Sequence, residues 1–117
     1  MSNTIKIPFS LPSRNDTDKM HWSAIYRLRK GYQPFNRQQM SHFRLKKATP
    51  DQVFSIEITT FRKQLLDDED NVDAKRLLDA LTHEGFIFDD ARKYIGKPSI
   101  SQMKASEECT IITREEI

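Results

Sequence analysis

Across residues 52–61, Phe54, Ile56 and Ile58 alternate with Ser55, Glu57 and Thr59, and this period of two constrains the fold more than any other stretch. A strand of this kind buries one face and wets the other, so it calls for a sheet with one covered face. It runs through Arg62, Lys63, Leu65 and Leu66 into residues 67–90, DDEDNVDAKRLLDALTHEGFIFDD, a segment that begins and ends in carboxylates. Inside that segment Ala74, Leu77, Leu78 and Leu81 form an apolar stripe at helical spacing. Asn71 is a candidate N-cap with acidic residues around it, as the helix dipole favours, and Gly85 is the expected stop.

The remaining patterns supply the partners of that strand. In residues 4–11, Ile5, Ile7, Phe9 and Leu11 share one face, with Pro8 favouring a sheet edge or the strand's end. Residues 12–19, PSRNDTDK, read as a turn with nothing apolar to bury. Trp22, Ile25, Tyr26 and Arg29 fall at helical spacing, which predicts a short helix over residues 20–32 that ends near Gly31. After a loop containing Pro34, residues 36–47 predict a second, basic helix with Met40, Phe43 and Leu45 as its apolar members. Further strands are expected near residues 92–100 and 108–113. The expectation is one α+β domain over residues 1–117, a mixed sheet covered by helices with the acidic segment at the sheet's end. A chain of 117 residues builds a modest core, so dimerisation is a natural way to bury more surface.

Composition excludes several classes. Hydrophobic residues make up 37% and charged residues 31%, polar for a globule but periodic enough to fold. Cys109 is the single cysteine, which rules out an internal disulfide or a cysteine zinc site and makes a reducing cytoplasm the expected location. The sequence has no signal-peptide pattern and no apolar run of membrane-spanning length. The net charge of +2 hides an asymmetry. Residues 1–50 hold ten Lys/Arg against two Asp/Glu, a net of +8, and residues 51–117 hold nine against fifteen, a net of −6. Either the halves balance each other, or the basic half offers a surface for a polyanion such as nucleic acid and the acidic half a metal site.

In an extended segment the side chains of Asp68 and Asp70 leave from the same face, and Asp89–Asp90 arrives just after Gly85 and the run Phe86, Ile87, Phe88. Folding these ends together concentrates negative charge, which raises carboxyl pKa values and costs stability unless a cation neutralises it. An all-oxygen donor set suits Mg²⁺ or Mn²⁺. A calcium loop starting at Asp68 would place Asp70 third and Asp79 last, but Asp73 stands where the sharp turn needs glycine and Val72 at a ligand position. A solvated acidic loop is the other simple reading. Lys75 and Asp79 are four apart and share a helix face, so Asp79 either orients Lys75 or is an exposed helix residue.

The continuous block Asp68-Glu69-Asp70-Asn71, Lys75, Asp79-Ala80-Leu81, Gly85 and Asp89-Asp90 resembles the RusA family of Holliday-junction resolvases, metal-dependent endonucleases that cut four-way DNA junctions. The likeness is strongest over residues 67–91, extends to the strand over 52–61, and weakens over 11–31, where Asn15 and His21-Trp22 match an Asn…His-Trp pattern. The resemblance implies that Asp68, Asp70 and Asp90 are catalytic carboxylates binding Mg²⁺ or Mn²⁺ with Asp89 beside them. It also implies that Lys75 is the essential basic residue at the scissile phosphate. One residue more than in the family pattern separates Asn71 from Lys75; if helical, it turns the rest of the helix by about 100°, and otherwise the loop absorbs it. The same resemblance implies a homodimer acting on branched DNA in phage, prophage or bacterial recombination and repair. Arg14, Lys19, His21, Arg27, Arg29 and Lys30 are the candidates for DNA contact, positioning phosphates without reading sequence. The rival functions are a junction-binding protein of the same fold that does not cut, and a nuclease on other branched DNA.

Overall fold

The alternation over residues 52–61 becomes strand β2, Phe54–Arg62, with Phe54, Ile56, Ile58 and Thr60 buried and Ser55 and Glu57 exposed. Residues 2–117 are described in the computed structural model. Strand β4 (Cys109–Glu116) pairs with β2 antiparallel, strand β3 (Ser99–Lys104) pairs with it parallel, and strand β1 (Ser2–Ile7) pairs with β4 antiparallel. The order is β1-β4-β2-β3, which makes the described chain an α+β fold on a four-stranded mixed sheet. Ile5, Ile112 and Ile58 lie in register across three strands and are all buried. β1 is an edge strand, and it ends at Ile7 rather than Leu11 because Pro8 has no N–H to give the ladder. Leu11 is still buried, its N–H donated to Thr60 Oγ1 at 2.8 Å.

Three expectations about local structure are corrected. Residues 14–18 are not a bare turn but helix α1 (Arg14–Asp18), capped where Ser13 Oγ accepts from Asp16 N at 3.1 Å. The two helices expected on either side of Pro34 are one, α2 (Trp22–His42), which passes through both Gly31 and Pro34. Proline removes one intrahelical hydrogen bond, but Tyr32, Asn36 and Met40 on either side of it are buried, so packing outweighs the local penalty. Residues 92–95 form the single turn of helix α4 (Arg92–Ile95), and β3 starts only at Ser99.

Helix α3 (Lys75–Glu84) carries the apolar stripe read from the sequence: Leu77 and Leu81 are buried, Leu78 is half-buried, Ala74 is buried just before the helix, and Ala80 joins them in the core. Asn71 does not cap it. α2 and α3 pack together and share one core with the sheet. Both end in the same hydrogen-bonded motif: Leu45 N donates to Met40 O (2.9 Å) and Arg44 N to Ser41 O (3.2 Å), while Phe86 N donates to Leu81 O (2.9 Å) and Gly85 N to Thr82 O (3.2 Å). The left-handed position is Arg44 at φ 53° in one and Gly85 at φ 86° in the other. A Cβ on Gly85 would stand 2.8 Å from Lys47 Cγ, so here the backbone conformation and the close approach both ask for glycine.

The α2–α3 contact also holds the ion pairs of the described residues. Glu84, 9% exposed, accepts from Arg37 Nε at 2.8 Å and Nη2 at 3.3 Å, and from His83 Nδ1 at 2.7 Å. Burial pushes the Glu84 carboxyl up, but the hydrogen bonds and charges of Arg37 and His83 outweigh it and hold it below the usual range.

Both the glycine and the ion pairs are open to measurement. Gly85→Ala should lower unfolding free energy in urea by about 1–2 kcal/mol, through the left-handed backbone and the contact with Lys47. Because the folded Glu84 carboxyl lies below its unfolded value of about 4.3, its ionised form supports the fold above that pH, and the support is lost as pH falls through the lower folded value. Thermal melts from pH 7 downward should show Glu84→Gln less stable at neutral pH and less sensitive to acid than the unmodified chain.

Candidate functional site

β2 delivers the acidic segment, but the segment does not project from the sheet's end as expected; it doubles back along the β3 edge. Leu66 N donates to Gln102 Oε1 at 2.9 Å and Gln102 Nε2 donates to Leu66 O at 2.8 Å, a reciprocal pair that pins the chain to β3. Residues 69–71 then form one turn of 3-10 helix in contact with β3. Asp68 caps it, its Oδ1 accepting from Asp70 N at 3.0 Å. Asp70 therefore lies inside a helical turn, and the same-face geometry of an extended Asp-x-Asp does not apply. Both carboxylates are exposed. Asp70 and Glu69 line a cleft of about 440 Å³ with Arg14, Val72, Lys97, Pro98, Ser99 and Ile100.

The residue added before Lys75 is absorbed in the loop. Val72 is extended and bridges Ser13, and α3 begins only at Lys75. Asp73 turns inward: its Oδ2 accepts from Thr17 Oγ1 at 2.5 Å, its Oδ1 accepts from Lys75 N at 2.9 Å, and its own N–H reaches Pro12 O at 2.9 Å. It ties α1 to the start of α3 and does not join the exposed carboxylates. Burial, reinforced by the Asp73 charge, pushes the Tyr32 hydroxyl far up, so this phenol stays neutral.

Lys75 opens into a different cleft, about 330 Å³, lined by Trp22, Ile25, Tyr26, Arg29, Arg76 and Asp79. Asp79 is more than an exposed helix residue. It is half-buried and acts on the second acidic group. Asp89 Oδ1 accepts from Asp90 N at 2.7 Å, and the Asp90 carboxyl, although the residue is exposed, is raised by partial loss of water around it, by a hydrogen bond with Asp89 and by the charges of Asp79 and Asp89. Asp68 and Asp70 belong to the turn beside β3, and Asp79, Asp89 and Asp90 to α3 and the loop that follows it. The donors are hard oxygens that suit Mg²⁺ or Mn²⁺. Among the described residues, however, no group of three or more Asp, Glu, His or Cys is gathered as a coordination shell.

The six candidate DNA contacts are distributed over this surface. Arg14 stands at the Asp70 cleft. Lys19 closes α1, and His21 begins α2 with its Nδ1 accepting from Ser23 N at 3.3 Å; both are exposed. Arg29 and Lys30 lie against the Tyr26 ring, 5.2 and 5.4 Å from its centroid. Arg27 points elsewhere, into an apolar cleft of about 450 Å³ with Phe9, Leu28, Tyr32 and Arg62. Sequence reasoning misses Arg76 and Lys97, whose only signal is proximity to Lys75 and to the α4 turn. Helical spacing groups Trp22 and Tyr26 with Ile25 and Arg29 but does not reveal their exposure, which is 75% and 49%.

Asp90 carries a measurable consequence. Its raised carboxyl means that ionisation costs the folded state more than the unfolded one at neutral pH. In EDTA, Asp90→Asn should therefore raise the melting temperature and remove part of any stabilisation by added Mg²⁺ or Mn²⁺; a lower melting temperature would show that the charge supports the fold. No protein-family model matches the chain, and no curated protein matches its sequence.

Proposed function

We propose that this protein is a metal-dependent, structure-specific endodeoxyribonuclease that resolves four-way DNA junctions, acting as a homodimer in the cytoplasm. This is the activity implied by its resemblance to the RusA family. The observation that carries the reading is the position of Asp79. It belongs at once to the carboxylates that repel Asp90 and to the cleft lined by Lys75, Arg29 and Arg76. A place that favours a cation thus adjoins a place that favours a phosphate, the two requirements of phosphodiester hydrolysis.

In this reading Asp68, Asp70, Asp89 and Asp90 hold Mg²⁺ or Mn²⁺, which would acidify a water and neutralise the leaving oxygen. Lys75 offsets charge that develops on the phosphate. Arg29 and Arg76 hold the strand against α2 and α3, and Arg14 and Lys97 do the same at the Asp70 cleft. Asp73 sets the start of α3 and with it the direction of Lys75. A two-fold dimer would present two such sites to the two strands of a junction.

A second reading, binding without cutting, is favoured by one observation: Asp70 and Lys75 line separate clefts. The two readings separate on a synthetic four-way junction. In Mg²⁺ or Mn²⁺ the purified chain should nick it symmetrically, Asp70→Asn should abolish cutting but not binding, and Lys75→Ala should slow cutting by about 10²–10³-fold. Tight binding with no cutting in either metal would establish the binding-only reading, and equal cutting of linear duplex would make the protein a nuclease without junction preference.

A further inference from the structure

The cleft between the start of α2 and the start of α3 has features that phosphate neutralisation alone does not need. Trp22 and Tyr26 are one helical turn apart on α2 and expose 75% and 49% of their surface. Contiguous exposed apolar surface rimmed by polar groups marks interaction sites. Arg29 follows on α2, and Lys75, Arg76 and Asp79 face it from α3. Three cations therefore meet one carboxylate, and among the described residues no salt bridge engages any of the three. The Nε atoms of both Arg29 and Arg76 are buried without a hydrogen-bond acceptor. The volume, about 330 Å³, lies at the lower end of small-ligand sites and is too small to seat a duplex.

We infer that this cleft holds one unpaired nucleotide of a DNA strand, its base stacked on Trp22 and its phosphate at Lys75, Arg76 and Arg29, whose guanidinium lies against the Tyr26 ring. Aromatic faces supply sequence-tolerant stacking, and the guanidinium and ammonium groups supply the backbone contact, the combination by which single strands are bound. An acidic peptide would satisfy the cations but leave the exposed face of Trp22 without a planar partner. The inference rests on the nucleic-acid part of the proposed function and not on cleavage. It gives the preference for branched DNA a physical basis, since a branch point offers bases outside the stacked duplex.

Trp22 is the only tryptophan in the chain and reports directly on its own cleft. In EDTA, where cutting plays no part, a short single-stranded oligodeoxynucleotide should quench its fluorescence saturably, and a blunt duplex of the same length should do so much more weakly. Trp22→Ala should weaken single-strand binding roughly ten-fold or more with an unchanged melting temperature, and Trp22→Phe should retain most of the affinity. Equal affinity in Trp22→Ala, or equal quenching by duplex, would overturn the inference. So would a loss of dimer in Trp22→Ala by sedimentation with single-strand affinity intact, because the face would then be an interface between copies. A junction cut in Mg²⁺ by a protein whose Trp22 stays silent would refute the stacking cleft and leave the nuclease standing. Quenching without cutting would support the cleft while refuting the nuclease.

Discussion

The guanidinium of Arg114 is the interaction on which the arrangement depends. Arg114 lies on the covered face of β4, 3% exposed, with Ile56 opposite it on β2 and Asn3 opposite it on β1. Its carbon is 5.1 Å from the centre of Phe54 and 4.7 Å from that of Phe86. It donates to Asn3 Oδ1 at 2.9 Å, to Phe86 O at 2.8 Å and to Lys46 O at 2.6 Å. Burial draws its pKa down, yet an arginine stays charged, so these acceptors must answer a charge that water cannot reach. One side chain thereby joins the edge strand, the loop after α2 and the loop after α3. That last loop carries Phe86 and Ile87 into the core and sends Asp89 and Asp90 out to the surface.

From this anchor the two ends of the acidic segment are placed by different means. Asp89–Asp90 follows buried residues that Arg114 and the core hold. Asp68–Asp70 depends on Gln102 clamping Leu66 and on Asp73 latching Thr17 and the first turn of α3. α3 runs between them, with Lys75 at its start and Asp79 one turn later, and so fixes the spacing from cations to carboxylates. The repulsion gathered at Asp90 works against stability. The bidentate Arg37–Glu84 pair ties the C-terminal end of α3 to α2.

Elements whose own side-chain period reports burial are legible in the sequence. The alternation locates β2 within two residues at its start and one at its end, and the stripe and glycine stop locate α3, because Phe54-Ile56-Ile58 and Leu77-Leu81 record which face leaves water. Elements decided by competition are not legible in this way. Pro34 and Gly31 locally favour a break in α2, and the burial of Tyr32, Asn36 and Met40 overrides them. The segment 12–19 has no apolar residue to signal a helix, and α1 forms through the cap of Ser13 and the hydrogen bond from Thr17 to Asp73. The exposure of Trp22 and Tyr26 is invisible because helical spacing reveals a shared face but not which way it looks.

The sequence by itself determined that this chain makes an α+β fold with a one-faced strand, an amphipathic helix closed by Gly85, and a carboxylate-rich segment with oxygen donors only. These are local properties, carried by period, backbone chirality and side-chain chemistry. Tertiary structure alone decided that the segment folds back along β3, that Asp73 faces inward, that Asp79 joins Asp90, and that Lys75 opens toward α2 and away from Asp70. Each of these depends on partners distant in the chain, Gln102, Thr17, Asp90 and Trp22, and such pairings leave no period in the sequence to be read.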